Sequence, residues 1–138
     1  RDCLLSRGLG DVYKRQVCFD VRFPELFRAM AVRGAQIIFL PAQFNMTTGP
    51  AHWDLSLRMR AVDNQVFVVG AAAARYEGFD YLCWGHSEVL DPFGERIAAC
   101  DEKEQILCAE IDLDRVEQVR RSLPTSCNLR REIYAVAE

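Results

Sequence analysis

Apolar and polar positions fall into blocks along this chain, and the period changes from block to block. Leu26, Phe27, Met30 and Ala31 recur at helical spacing. Pro24 and Glu25 stand just before them, a proline suited to a first helical position and an acid at the positive dipole end. Arg33-Gly34 supplies a basic last turn and a glycine stop, so the spacing predicts a helix opening at Pro24. Ile37-Ile38-Phe39-Leu40 is a continuous apolar run that predicts a strand buried on both faces. Val66 to Ala73 and Gly85 to Leu90 predict two more strands, and Val17 is expected to end an earlier one. The polar stretch from Pro41 to Pro50 predicts a loop, followed by a helix from about Ala51 to Val62. Asp91-Pro92-Phe93-Gly94 has type I turn chemistry. Arg96–Cys100 and Gln105–Ile111 predict a hairpin across Asp101–Glu104. Asp112 is expected to cap a last helix with Val116 and Val119 on one face, and the chain from Pro124 reads as an irregular arm. Strands alternating with helices indicate an α/β layered architecture, and without repeats or linkers one folding unit is expected.

Composition narrows the function classes. The 138 residues, half of them apolar, suit one domain or part of one. Ser6 to Gln16 resembles one reading frame of a transposon-end adapter used for sequencing libraries, so residues 1–16 are expected to be non-native and 17–138 to be a partial domain. Residues 17–138 are mildly acidic and lack the basic footprint of a nucleic-acid or anionic-membrane binder. The longest apolar stretch, Val66 to Ala74, is too short to span a bilayer. Beyond Cys3, the cysteines at 18, 83, 100, 108 and 127 are odd in number and irregular in spacing. That argues against a secreted disulfide framework and for a reducing cytoplasm, with most thiols expected as small core hydrophobes.

Cys18, in Val17-Cys18-Phe19-Asp20-Val21-Arg22-Phe23-Pro24-Glu25, carries the main chemical interest. A hydrolytic thiol needs an activating neighbour, an oxyanion site and a fixed attack geometry. A strand-to-helix turn would present the sulfur at the sheet edge, and the Phe19 backbone N–H would face the same cavity. By residue type alone a buried core cysteine is the better reading, because cysteine is among the most buried residues. Arg22 and Glu25 read equally as an ion pair bracing the turn or as a solvated helix-start pair. His52 and His86 lack a signature for activating a thiol, and structural hydrogen bonding is the better reading of both. A zinc site on Cys83 and His86 finds no second paired motif. Arg58, Arg60, Asp63 and Asn64 read as a solvated face, a polar network or a subunit contact.

Resemblance shifts that balance. Cys18-Phe-Asp-Val-Arg-Phe-Pro-Glu25 resembles the nucleophile motif of the nitrilase, or carbon–nitrogen hydrolase, superfamily. Pro41 to Trp53, Arg58 to Gln65, Trp84-Gly-His-Ser87, Asp91-Pro-Phe-Gly94 and Asp112-Leu-Asp114 extend the likeness in order, and Phe-Asn-x-Thr-Thr-Gly-Pro-Ala-His-Trp most resembles the omega-amidase branch. The resemblance implies the C-terminal half of an αββα sandwich in which Cys18 forms a thioester and the Phe19 N–H helps hold the oxyanion. It implies a substrate pocket involving Gln43, Phe44, Asn45 and Thr48, support of the turn by Asp20, Arg22 and Glu25, no metal or organic cofactor, and a homodimer. The substrate class implied is a small linear amide, the omega-amide of a dicarboxylic or oxo acid, with water as co-substrate. An N-carbamoyl amino acid or aliphatic amide hydrolase of the same superfamily is the alternative. The family's glutamate base and oxyanion lysine lie upstream of its cysteine. This chain has two lysines, Lys14 and Lys103, neither in a matching motif, so the chain alone is expected to be an inert fragment or assembly module.

Overall fold

The computed structural model describes residues 13–15, 17–130 and 133. Among these residues five strands form one sheet in sequential order: β1 (Tyr13–Arg15), β2 (Ile37–Ala42), β3 (Phe67–Ala72), β4 (Glu88–Leu90) and β5 (Arg96–Ala99). The first three are parallel, with Tyr13 opposite Ile37 and Ile37 opposite Phe67; β4 and β5 add antiparallel. Two of the three helices make the crossovers that parallel strands require, α1 (Pro24–Val32) and α2 (Thr48–Asn64), and α3 (Asp114–Ser122) follows the sheet. None of the helices among the described residues is long and apolar enough to cross a membrane.

Helix α1 follows the sequence reading closely. Phe27 and Met30 are fully buried, Leu26 and Ala31 pack beside them, and Gly34 ends the run at φ 93°. Ile38 and Leu40 of β2 meet Trp53 and Leu57 of α2 in the same core. The helix layer therefore covers one face of the sheet. The other face leaves Phe39 and Pro41 exposed, so β2 alternates instead of being buried on both sides as its unbroken apolar run suggested. An apolar run records what a residue can bury, not which layer arrives to cover it.

Other boundaries move for local reasons. The first strand ends at Arg15 and Val17 lies outside it, although still extended at φ −128° and ψ 122°. Ladder pairing needs only backbone groups, so Tyr-Lys-Arg serves as an edge strand. The remaining residues of the adapter-like segment, 1–12 and 16, lie outside those described. Helix α2 begins at Thr48, three residues before the expected start. The hairpin joins β4 to β5 across the Asp91–Gly94 turn, where the Gly94 amide donates to the Asp91 carbonyl at 2.9 Å and Asp91 Oδ1 accepts from the Phe93 and Glu95 amides. Gln105–Ile111 forms no strand, and Ile106 is 94% exposed. Of the five described thiols only Cys83 is buried, and Cys108 and Cys127 are exposed, against the expectation that most would be core.

Candidate active site

Cys18 stands just beyond the C-terminal end of β1, where the chain turns sharply. Its backbone is left-handed at φ 38°, a region that costs a side-chain-bearing residue of order 1–3 kcal/mol and is sustained only by surrounding structure. The turn continues as a short 3-10 helix over Cys18–Arg22. Its start is clamped by a reciprocal pair: the Asp20 amide donates to the Val17 carbonyl, and the Val17 amide donates to Asp20 Oδ2, each at 3.0 Å. The Cys18 and Phe19 amides precede the first such bond and have no carbonyl within the helix. From the other side Arg60 Nε of α2 donates to the Val21 carbonyl at 2.9 Å. Burial disfavours the Arg60 charge, and Asp63 and Glu25 oppose that effect.

The segment after β2 faces this turn. The Cys18 thiol lies 3.7 Å from the Gln43 carbonyl oxygen, which also accepts the Tyr81 hydroxyl at 3.2 Å. Gln43 Nε2 donates to Cys83 Sγ at 2.8 Å, Asn45 bridges Cys83, and the Trp84 amide donates to the Phe44 carbonyl at 2.7 Å. Residues 43–45 are thus zipped to 81–84. Gln43, Cys83 and Tyr81 line an open cleft of about 460 Å³ together with Ala73, Ala74, Tyr76, Phe79 and Asp80. This cleft lies beyond the carboxyl ends of the parallel strands, where open α/β sheets commonly bind ligands. Tyr76 is held above its ordinary pKa by its hydrogen bond to Glu104.

The pocket residues expected from sequence divide into two groups. Gln43 is brought to Cys18 and to the cleft. Phe44 is buried edge-on against Trp53, with ring centroids 5.2 Å apart, and Arg22 covers it at 5.5 Å. Asn45 Oδ1 accepts from the Thr47 amide, the Thr48 amide and the Thr48 hydroxyl at 2.8–3.0 Å, so both residues secure the start of α2. That staple explains the early helix start. Arg22 turns to His52 Nδ1 at 3.4 and 3.5 Å and to the Phe19 ring, while Glu25 is exposed. His86 stacks on Trp84 and bonds its carbonyl oxygen at 2.8 Å through Nδ1. Tyr81, Cys83 and Arg60 were not singled out for the site by sequence. The signal for Tyr81 and Cys83 was their nearness to the Trp84-Gly85-His86-Ser87 motif.

Glu88 is the other notable carboxyl. It is 2% exposed on β4, with one oxygen 2.7 Å from Arg96 Nε and Oε1 without a partner among the described residues. Burial raises its pKa to about 7, against the pull of Arg96. It lies opposite Gly70, which packs on Leu57 and Trp53, and therefore faces α2 through the Arg96–Asp54 pair.

With this geometry in view, the likeness of the chain to known proteins can be stated. Residues 7–121 match the family model for carbon-nitrogen hydrolase. Omega-amidase NIT2-A of Xenopus laevis is 46% identical over 122 residues, which are 88% of this chain and 44% of that protein. The NitFhit protein of C. elegans superposes with a TM-score of 0.84 at 39% identity, over 89% of this chain and 30% of that one. An amidase mutant from Nesterenkonia sp. AN1, which carries the acetamide moiety of fluoroacetamide covalently on its active-site cysteine, superposes at 0.62 with 28% identity, over 85% and 44% of the two chains. The chain spans less than half the length of the curated relatives it matches. On the family match and these likenesses, the chain belongs to the carbon-nitrogen hydrolase family.

Proposed function

We propose that this chain is the cysteine-bearing part of an amidase that hydrolyses the omega-amide of a small dicarboxylic or oxo acid through a thioester on Cys18. The left-handed Cys18 at the sheet edge, facing a cleft-lining segment, is the observation that carries this reading. In the first half-reaction the sulfur adds to the amide carbon and the carbonyl oxygen becomes an oxyanion, which the Phe19 and Cys18 amides are suited to receive. Collapse breaks the C–N bond, the nitrogen takes a proton, and ammonia leaves. Water then adds to the thioester carbon, the C–S bond breaks, and the acid and the free thiol are regenerated. Asp20, Arg22 and Arg60 support the reaction by holding the turn. The omega-amide assignment draws on the omega-amidase relatives.

A general base and an oxyanion cation are the roles the family resemblance gives to residues upstream of its cysteine. The 138-residue chain is therefore predicted to release no ammonia from an omega-amide such as succinamate. Release that disappears in a Cys18→Ala variant would overturn this. In a longer protein carrying this chain, mass spectrometry after incubation with a slowly hydrolysed amide should find the acyl group on Cys18. An adduct on another residue would remove Cys18 from the nucleophile role.

A further inference from the structure

We propose that Tyr81 is a positioning residue for the Cys18 thiol, acting through the Gln43 carbonyl. The inference rests on Cys18 as the reactive group and extends it to what governs that thiol's readiness. A carbonyl oxygen offers two lone pairs, and here two donors share it: the Tyr81 hydroxyl at 3.2 Å and the Cys18 thiol at 3.7 Å. A hydrogen bond from S–H to a carbonyl favours the neutral thiol, because it is lost when the sulfur ionises. An oxygen already accepting a hydroxyl proton holds a second donor less strongly. Tyr81 therefore loosens the grip of Gln43 on the thiol proton.

The neighbouring contacts keep the carbonyl where this matters. The Gln43 side chain is tied to Cys83, Asn45 bridges Cys83, and the Trp84 amide is tied to the Phe44 carbonyl, so the peptide after Gln43 has little freedom to turn away. Tyr81 itself is 48% exposed and contributes no core packing, so its hydroxyl can be removed without disturbing the fold. The effect of the phenol on Cys18 passes through the shared Gln43 oxygen.

Alkylation by iodoacetamide tests this on the 138-residue chain, with labelled cysteines read separately by peptide mass spectrometry. Tyr81→Phe is expected to slow Cys18 labelling about threefold near neutral pH, the size of effect a single shared hydrogen bond supplies, and to move its rate profile toward higher pH. Exposed Cys108 should label at an unchanged rate and buried Cys83 should stay protected, which reports an intact fold in the same sample. An unchanged Cys18 rate with Cys83 protected overturns the proposal. So does loss of Cys83 protection in step with faster Cys18 labelling, which would make Tyr81 a fold residue. Labelling reads the thiol itself, so this outcome is independent of whether a longer protein hydrolyses omega-amides.

Discussion

Two residues show how the family-like motifs divide between chemistry and scaffold. Cys18 sits in a backbone region that side chains avoid, and its place is held by Asp20 below and by Arg60 across the helix interface. Asn45 stands in the motif that most resembles the omega-amidase branch, yet its side-chain oxygen collects three donors at the opening of α2. It acts as a helix-start cap, and removing such a cap costs about 0.5–2 kcal/mol. Asn45→Ala should lower stability by that amount in a denaturant titration, and Asn45→Asp, which keeps the accepting oxygen, should recover most of it. A loss below about 0.3 kcal/mol for alanine would show that the staple contributes little, on the same scale for caps.

Several close approaches in the fold are made through glycine. Gly70 of β3 lies under Trp53 and Leu57, and Gly49 of α2 lies against Trp84, where an added Cβ would stand 2.3 Å from the indole. Gly85 is the most constrained, because it combines φ 76° with an approach that would set a Cβ 2.6 Å from the Glu102 Cα. Here the neighbour is backbone and has no rotamer with which to yield. Gly85→Ala is expected to destabilise the chain by about 2–4 kcal/mol, adding a clash to the left-handed penalty. Gly78→Ala, where nothing lies within 4 Å, should change stability by less than about 0.5 kcal/mol, and equal effects at the two positions would refute the contrast.

Over the whole molecule, burial of Glu88 links folding to pH. Its folded pKa is raised from 4.5 to about 7, so between those values the folded chain holds a proton that the unfolded chain has released. Stability from this group is therefore fully present below about pH 4.5 and is lost as pH rises through about 7. Glu88→Gln should gain on the wild type as pH rises, by about 1–3 kcal/mol between pH 5 and 8 in paired denaturant titrations. A difference that is flat over that interval would mean that Arg96 compensates the buried charge fully.

Local chemistry was legible where the chain signals its own conformation. Proline at the start of α1, the apolar spacing of Phe27 and Met30, the Gly34 stop and the Asp91–Gly94 turn all survive intact, because each is decided within a few residues. The family motifs around Cys18 were legible for the same reason: they are contiguous. The tertiary structure decided the remainder. It set which face of β2 the helices cover, paired β5 with β4 and left Gln105–Ile111 without a strand, and buried Cys83 while exposing Cys108 and Cys127. It also brought Tyr81 to the Gln43 carbonyl beside Cys18, across separations of 38 and 25 residues. Such contacts depend on where distant backbone segments meet, and no local propensity or period encodes that meeting.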